Sequence, residues 1–375
     1  MGFIPVNEPL LNGNEKKYLC ECIDTGWISS EGPFVKEFEE KMSDKVGRKY
    51  GIAVSNGTAA LEIAVQALGI GAGDEVIMPT FTIISCAMAV TKLGAVPVLV
   101  DSDLDTWNMN VDEIESKITG KTKAIMIVHL YGLPVDLDRI LALAQKYDLK
   151  VIEDAAEMHG QTYKGLPCGS FGDISTFSFY PNKHITTGEG GMVVTDSEEL
   201  AERCRSLRNL CFKKDVRYVH EEISDNYRFT NIQAAIGLAQ LERLDEFVER
   251  KRDMGKYYTE KLKNIDKLVL PLEQTSYAGN IYWVYGLVLD KSIRADNKEV
   301  QRLLADEGIG SRTFFWCMHE QPVYQNMGLY KDRNYPNAEY LARKGFYIPS
   351  GLALTKEQMD IVVDKVAKVM RVISR

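Results

Sequence analysis

A surplus of positive charge is the first thing this chain lacks: 45 Lys and Arg stand against 53 Asp and Glu, a net charge of −8. A surface that tracks phosphates needs clustered Lys and Arg, so nucleic acid is not an expected partner. No apolar run reaches the ~18 residues that cross a bilayer, which argues against a membrane protein. Residues 1–9 show no basic stretch ahead of an apolar one, so no secretory leader is expected; Val6 stands where a myristoylation signal has Ser or Thr. Cysteine is scarce and odd in number, seven with no Cys-x-x-Cys pair, which fits reduced thiols and a cytoplasmic location. The five histidines have no helical metal-ligand spacing, so zinc is not expected. Low-complexity tracts and internal repeats are also missing.

What is present is the profile of a soluble enzyme, 45% apolar and 26% charged. A chain of 375 residues calls for a large domain and a smaller companion, here 1–250 and 251–375. Seven short β-rich runs alternate with helical periodicity: Ile52–Ser55, Glu75–Met78, Val96–Val100, Ala124–Val128, Val151–Glu153, Ile174–Ser178 and Met192–Thr195. The fold class is therefore α/β, with a mostly parallel seven-stranded sheet covered by helices and function at the carboxyl ends of its strands. Lys16–Ile23 reads as a short helix, and Leu238–Lys263 as one long amphipathic helix joining the domains. The smaller domain carries a strand over Tyr282–Leu289 and a helix over Asn297–Glu307 that stops at Gly308.

Three strand ends carry chemistry. Ser55-Asn-Gly-Thr-Ala-Ala60 runs from a strand into a helix, where Gly57 permits the turn and free N–H groups from Thr58 onward suit a phosphate. By itself this is also an ordinary cap and turn. Glu153-Asp-Ala-Ala-Glu157 places a carboxylate at the end of a buried strand, which costs free energy unless donors or a cation satisfy it; alone, a helix N-cap is the better reading. Ser178 lies near a third strand tip, and Lys183 sits on the Pro181–Gly191 loop beyond it. An arbitrary loop lysine is usually a solvated charge, whereas one held at a pocket mouth is a nucleophile with a lowered pKa. Taken together, a phosphate cradle, a buried acid and a lysine at three strand ends of one sheet answer the needs of pyridoxal 5′-phosphate.

Ser55–Thr58, Glu153–Glu157, Phe177–Gly191 and Asn226–Gly237 together resemble the DegT/DnrJ/EryC1 sugar aminotransferases, over about residues 4–370. The narrower likeness, in Thr25–Ser30, Lys123–Gly132 and Asn231–Glu242, is to members that act on GDP-linked sugars. The resemblance implies a fold-type-I homodimer with shared active sites. In it Lys183 bonds to the cofactor aldehyde and Asp154 pairs with the pyridine nitrogen. Gly57, Thr58 and Ser178 hold the phosphate, Asn226 reaches in from the neighbouring subunit, and Glu157 sits near the ring hydroxyl. It implies glutamate as donor and, as acceptor, the 4-keto group of a nucleotide-linked 6-deoxyhexose: GDP-4-keto-6-deoxy-mannose first, dTDP- or UDP-linked sugars as alternatives. Candidate substrate residues are Trp27 and Ser29 after the first helix, His319 in the aromatic run Ser311–His319, and Arg228, near Asn226, for the donor carboxylate. Arg217, Tyr218 and Trp316 are candidates for the nucleotide. One departure is Ile83, where the family often has an aromatic ring against the cofactor; either Ile83 or Phe81 takes that place.

Two rivals stand beside this reading. A sugar 3-dehydratase of the same fold has histidine in place of the lysine, and His184 adjoins Lys183. The register, with Asn182 directly before Lys183 and Ile185–Gly191 after His184, puts lysine at the reactive position. A non-catalytic ligand-binding protein is the other, and the intact Lys183, Asp154 and Ser178 argue against it.

Overall fold

The computed structural model describes residues 2–374 apart from 213–215 and 217, so Arg217 lies outside the described residues. The large sheet contains β1 (Tyr50–Val54), β2 (Glu75–Pro79), β3 (Val96–Val100), β4 (Thr122–Val128) and β5 (Lys150–Asp154). After a short separate hairpin, β6 (Thr162–Tyr163) and β7 (Leu166–Pro167), it gains β8 (Ile174–Ser178) and β9 (Gly191–Thr195). All seven runs expected from the sequence are strands of this one sheet, in the order β1-β9-β8-β5-β4-β2-β3. β9 runs antiparallel to both its neighbours, and the pairs β2–β3, β2–β4, β4–β5 and β5–β8 are parallel. The carboxyl ends of β1, β5 and β8 therefore share one edge with the start of β9.

Both faces of the sheet are buried, which is why its strands read as near-continuous apolar runs. Ile52, Val54, Met126 and Ile152 point into one core, and their neighbours Ala53, Ile125, Ile127 and Val151 into the other. Helices α1 (Glu15–Thr25) and α2 (Pro33–Lys45) precede the sheet. α3 (Gly57–Ala67), α4 (Ile84–Thr91), α5 (Val111–Lys117) and α6 (Leu137–Tyr147) connect its strands, and α7 (Glu198–Arg208) follows them.

The expectation of one helix over residues 238–263 is corrected to two, α8 (Asn231–Leu241) and α9 (Leu244–Leu262). Polar partners hold the break between them. The Glu242 carboxylate accepts from the Tyr18 hydroxyl at 2.6 Å and the Asn14 amide at 2.7 Å, while Arg243, at φ −114°, ψ 11°, pairs with Glu246 and Asn12. Along α9, Leu244, Phe247 and Val248 pack into a core of the large sheet, and Met254, Tyr258 and Leu262 into that of a second, smaller sheet. The cores change over within an unbroken helix, through which the 250/251 division cuts.

The smaller sheet has β10 (Leu268–Val269), β11 (Tyr285–Leu289), β12 (Arg312–Thr313) and β13 (Gly345–Ile348), all antiparallel in the order β10-β11-β13-β12. Around it lie α10 (Asn297–Asp306), α12 (Pro336–Lys344) and α13 (Lys356–Ile373), whereas α11 (Pro322–Asn326) sets Tyr324 into a core of the large sheet. β11 begins three residues later than its sequence pattern predicts. Tyr282 takes φ +50°, its N–H donates to Asn280 Oδ1, and the Trp283 indole is drawn to the Asn182 carbonyl in the large domain. No helix among the described residues is long and apolar enough to cross a membrane.

Candidate active site

A cavity of about 660 Å³ opens at the shared edge of β1, β5 and β8. Its first wall is the turn from β1 into α3. Asn56 caps the helix, its side-chain oxygen accepting from the Ala59 N–H at 2.9 Å. Gly57 and Thr58 are the first helical residues, so their N–H groups have no i−4 carbonyl to meet and point a partial positive charge outward. The turn can sit here because two glycines permit it. A Cβ on Gly57 would lie 2.7 Å from the Ser178 Cβ, and one on Gly191 would lie 2.4 Å from the Asn56 carbonyl oxygen. Close packing of β1, β8 and β9 thus brings the Ser178 hydroxyl beside the helix start. The Thr58 hydroxyl meets that of Ser85 at 2.8 Å on the other side. N–H groups and hydroxyls at a helix N-terminus make an anion site.

The floor is acidic. Asp154 ends β5, buried, with Oδ1 accepting from the Ala156 N–H at 3.0 Å and Oδ2 from the Cys86 thiol at 3.3 Å. Burial raises its pKa, against which those two donors and Lys183 act. Glu157 accepts from the Tyr131 N–H at 2.7 Å, and burial pushes its carboxyl up to about 8 although Lys183 opposes this.

Lys183 closes the cavity. Among the bonds that fix its loop are Lys183 N–H to the Tyr180 carbonyl, Thr187 N–H and the Thr186 hydroxyl to the Phe179 carbonyl, and the Asn7 amide to the Pro181 carbonyl. The side chain is 10% exposed, with Nζ 3.8 Å from Glu157 Oε1 and 3.8 Å from the Trp283 ring centroid. Burial lowers the amine's pKa, while Glu157, Asp154 and Cys86 raise it in part. The adjoining His184 is fully buried and turned the other way, meeting the Ile281 carbonyl at 3.3 Å, so lysine and not histidine lines the cavity.

Gly57, Thr58, Asp154, Glu157, Ser178 and Lys183 are thus brought together. Other sequence candidates stand apart from this cavity. Trp27 and Ser29 lie on an exposed loop whose carbonyls accept from Asn231 at 2.8 Å each. Asn226 is exposed, and Arg228 is held by Asn209 Oδ1 at 2.7 Å. His319 is buried elsewhere, with Nδ1 2.8 Å from the Thr80 hydroxyl and Nε2 3.2 Å from Glu339, tying the end of β2 to α12. Tyr218 and Trp316 are exposed and do not line the cavity either. Of the pair left open, Ile83 lines the cavity, whereas Phe81 is fully buried against Tyr131, Phe314 and Phe315.

Sequence reasoning missed Ser85, Cys86, Trp283, Phe315 and Tyr347. Trp283 lay inside a run read as strand, and Cys86 inside an apolar helix where a cysteine looks like any core residue. Only the position of Ser85, two residues beyond Ile83, offered a signal.

An anion cradle, a buried acid and an amine at the strand ends of a mostly parallel sheet define the site of an α/β group-transfer enzyme. The sequence pattern of the DegT/DnrJ/EryC1/StrS aminotransferase family matches residues 9–367, and the chain belongs to that family and is an aminotransferase. It is 45% identical over 366 residues to the GDP-perosamine synthase of Escherichia coli O157:H7, covering 98% of each chain, and 43% identical to that of Caulobacter vibrioides, again with 98% of each covered. Among solved structures, the aminotransferase TlmJ from Streptoalloteichus hindustanus superposes with a TM-score of 0.91 at 29% identity, covering 99% of this chain and 100% of that one. DesV from S. venezuelae does so with 0.91 at 30% identity, covering 99% of each.

Proposed function

We propose that this aminotransferase uses pyridoxal 5′-phosphate to move the amino group of glutamate to the C4 keto group of GDP-4-keto-6-deoxy-mannose, forming GDP-perosamine. The observation that carries the transamination is the Lys183 amine, depressed by burial and set between Glu157 and Trp283. The choice of sugar rests on the GDP-perosamine synthases that match the full chain.

The residues suit the cofactor. In this reading the Gly57 and Thr58 N–H groups with the Thr58 and Ser178 hydroxyls hold its phosphate, Asp154 its ring nitrogen, and Glu157 its ring hydroxyl. When bound, the cofactor supplies an aldehyde that takes up an amine and a protonated ring that withdraws electrons. Asp154, buried and already accepting from Ala156 and Cys86, keeps a proton on the ring nitrogen. Lys183 would be the amine that holds the cofactor's aldehyde and, when free, the base placed to take the proton from the donor's α-carbon. Burial makes its free amine easier to form than that of an exposed lysine. Ile83 offers an apolar contact in place of an aromatic ring.

The same reading makes the enzyme a cytoplasmic homodimer in which Asn226 and Arg228 serve the cavity of a second copy. Tyr227, between them, lines its own chain's cavity while neither of its two neighbours does, which supports this. Trp27 and Ser29 remain substrate candidates only across such an interface. His319 is left out, since both its ring nitrogens are occupied. The test offers glutamate with GDP-, dTDP- and UDP-linked 4-keto-6-deoxy sugars in turn, identifying products by mass and NMR. Amination of the GDP sugar alone is expected, and a preference for dTDP or UDP would reassign the substrate. Lys183→Ala is expected to lose all turnover and the absorbance of the bound cofactor.

A further inference from the structure

Trp283 is held on three sides. Its indole N–H donates to the Asn182 carbonyl at 2.8 Å, next to Lys183 in the chain. Its own carbonyl accepts from Lys251 Nζ at 3.0 Å. Its ring lies nearly parallel to that of Tyr131, 6° between planes and 5.9 Å between centroids. Lys251 is unusual for a helix residue: it is 2% exposed, forms no ion pair among the described residues, and gives a second hydrogen bond to the Ser350 carbonyl. Burial alone pushes its amine down to about 7. Burying a lysine this way is unfavourable compared with an apolar side chain of the same length. What it provides is a fixed Trp283 backbone at the joint between the two cores.

On the reading that Lys183 is the reactive amine, we propose that Trp283, clamped by Lys251, is a positioning residue. The indole face seats the Lys183 ammonium whenever that lysine is released, keeps it beside Glu157, and favours its charged form. A cation over the face of a desolvated tryptophan is attracted by the ring quadrupole, which raises the amine's pKa by about one unit against the effect of burial. The titratable groups that face Lys183 are Glu157 and Asp154 from the β5 end, Cys86 from α4, and His159 and His184 behind the loop. None of them is altered in the variants below.

The test follows capture of pyridoxal 5′-phosphate by cofactor-free protein. The rate of the absorbance change, measured against pH, reports the unprotonated fraction of the capturing amine. Wild type is expected to capture and Lys183→Ala is not; capture by that variant would overturn the underlying assignment of the lysine. With the lysine assignment intact, Trp283→Leu is expected to move the rate–pH midpoint about one unit lower. It should also lower kcat of the glutamate half-reaction about tenfold, with KM within about twofold. Trp283→Phe, which keeps a ring face, should stay near wild type. Lys251→Met, which keeps the length and loses the donor, should move the midpoint the same way by a smaller amount, and it serves if the leucine variant does not fold. A midpoint unmoved or shifted upward in both Trp283→Leu and Lys251→Met would overturn the seat while leaving the lysine assignment standing.

Discussion

His159 sits two residues beyond Glu157, but its ring is fully buried between Phe177 and Phe179, with centroids at 5.2 and 5.4 Å and no hydrogen bond to either nitrogen among the described residues. Burial, helped by the Lys183 charge, pushes its pKa down to about 3. In the unfolded chain the same imidazole titrates near ~6.5. The folded value is the lower one, so the stability due to neutral His159 is present above ~6.5 and is lost as pH falls towards the folded value. Near pH ~5 that loss is about 2 kcal/mol from this one residue. His159→Phe keeps a ring in the slot and removes the titration. Its melting temperature is therefore expected to fall less than that of wild type between pH ~7.5 and ~5. Equal falls in thermal unfolding of the two cofactor-free proteins would show that His159 carries none of the acid sensitivity. His184, which burial and Lys251 also hold well down, accounts for part of the remainder.

At the scale of elements, the site depends on how closely the start of α3 approaches the end of β8. Gly57→Ala would put a Cβ 2.7 Å from the Ser178 Cβ, so the turn or the strand tip must move. The expected cost is about 1–3 kcal/mol of stability, together with a loss of pyridoxal 5′-phosphate affinity of about tenfold or more. Ser178→Gly in the same chain removes the colliding carbon. The double variant should regain stability in thermal unfolding without regaining affinity, because one proposed phosphate hydroxyl is gone. If Gly57→Ala binds the cofactor like wild type, the cradle lies elsewhere. This arrangement was readable in outline from the sequence because strands buried on both faces and a Gly at a strand–helix turn leave local marks. The break at Glu242 and Arg243 was not readable, since it depends on Tyr18, Asn14 and Asn12, more than 200 residues away. Trp283 escaped for a similar reason: the Asn182 carbonyl that draws its indole aside is 101 positions distant. The partners of His319 were not readable either, since the aromatic run around it gives no sign that Thr80 and Glu339 meet its ring.

For the whole molecule, the division of labour among the sequence candidates is itself informative. Lys183, Asp154 and Ser178 line one cavity, whereas Asn226 and Arg228 stand outside it on either side of Tyr227. If Asn226 completes the cavity of a second copy, each site draws its lysine from one chain and its asparagine from the other. That can be tested without a structure of the assembly. A Lys183→Ala chain and an Asn226→Ala chain are each expected to be nearly inactive as purified. In a mixed dimer, one site receives both defects and the other receives neither. Random exchange of equal amounts gives half mixed dimers, each with one intact site, so about a quarter of wild-type turnover should return on mixing. If Asn226 serves the cavity of its own chain, each site carries one defect in every pairing and mixing returns nothing. Exchange is checked by tagging the two chains differently and recovering the mixed species. The activity of that isolated species, about half that of wild type per dimer or none, decides between the two arrangements.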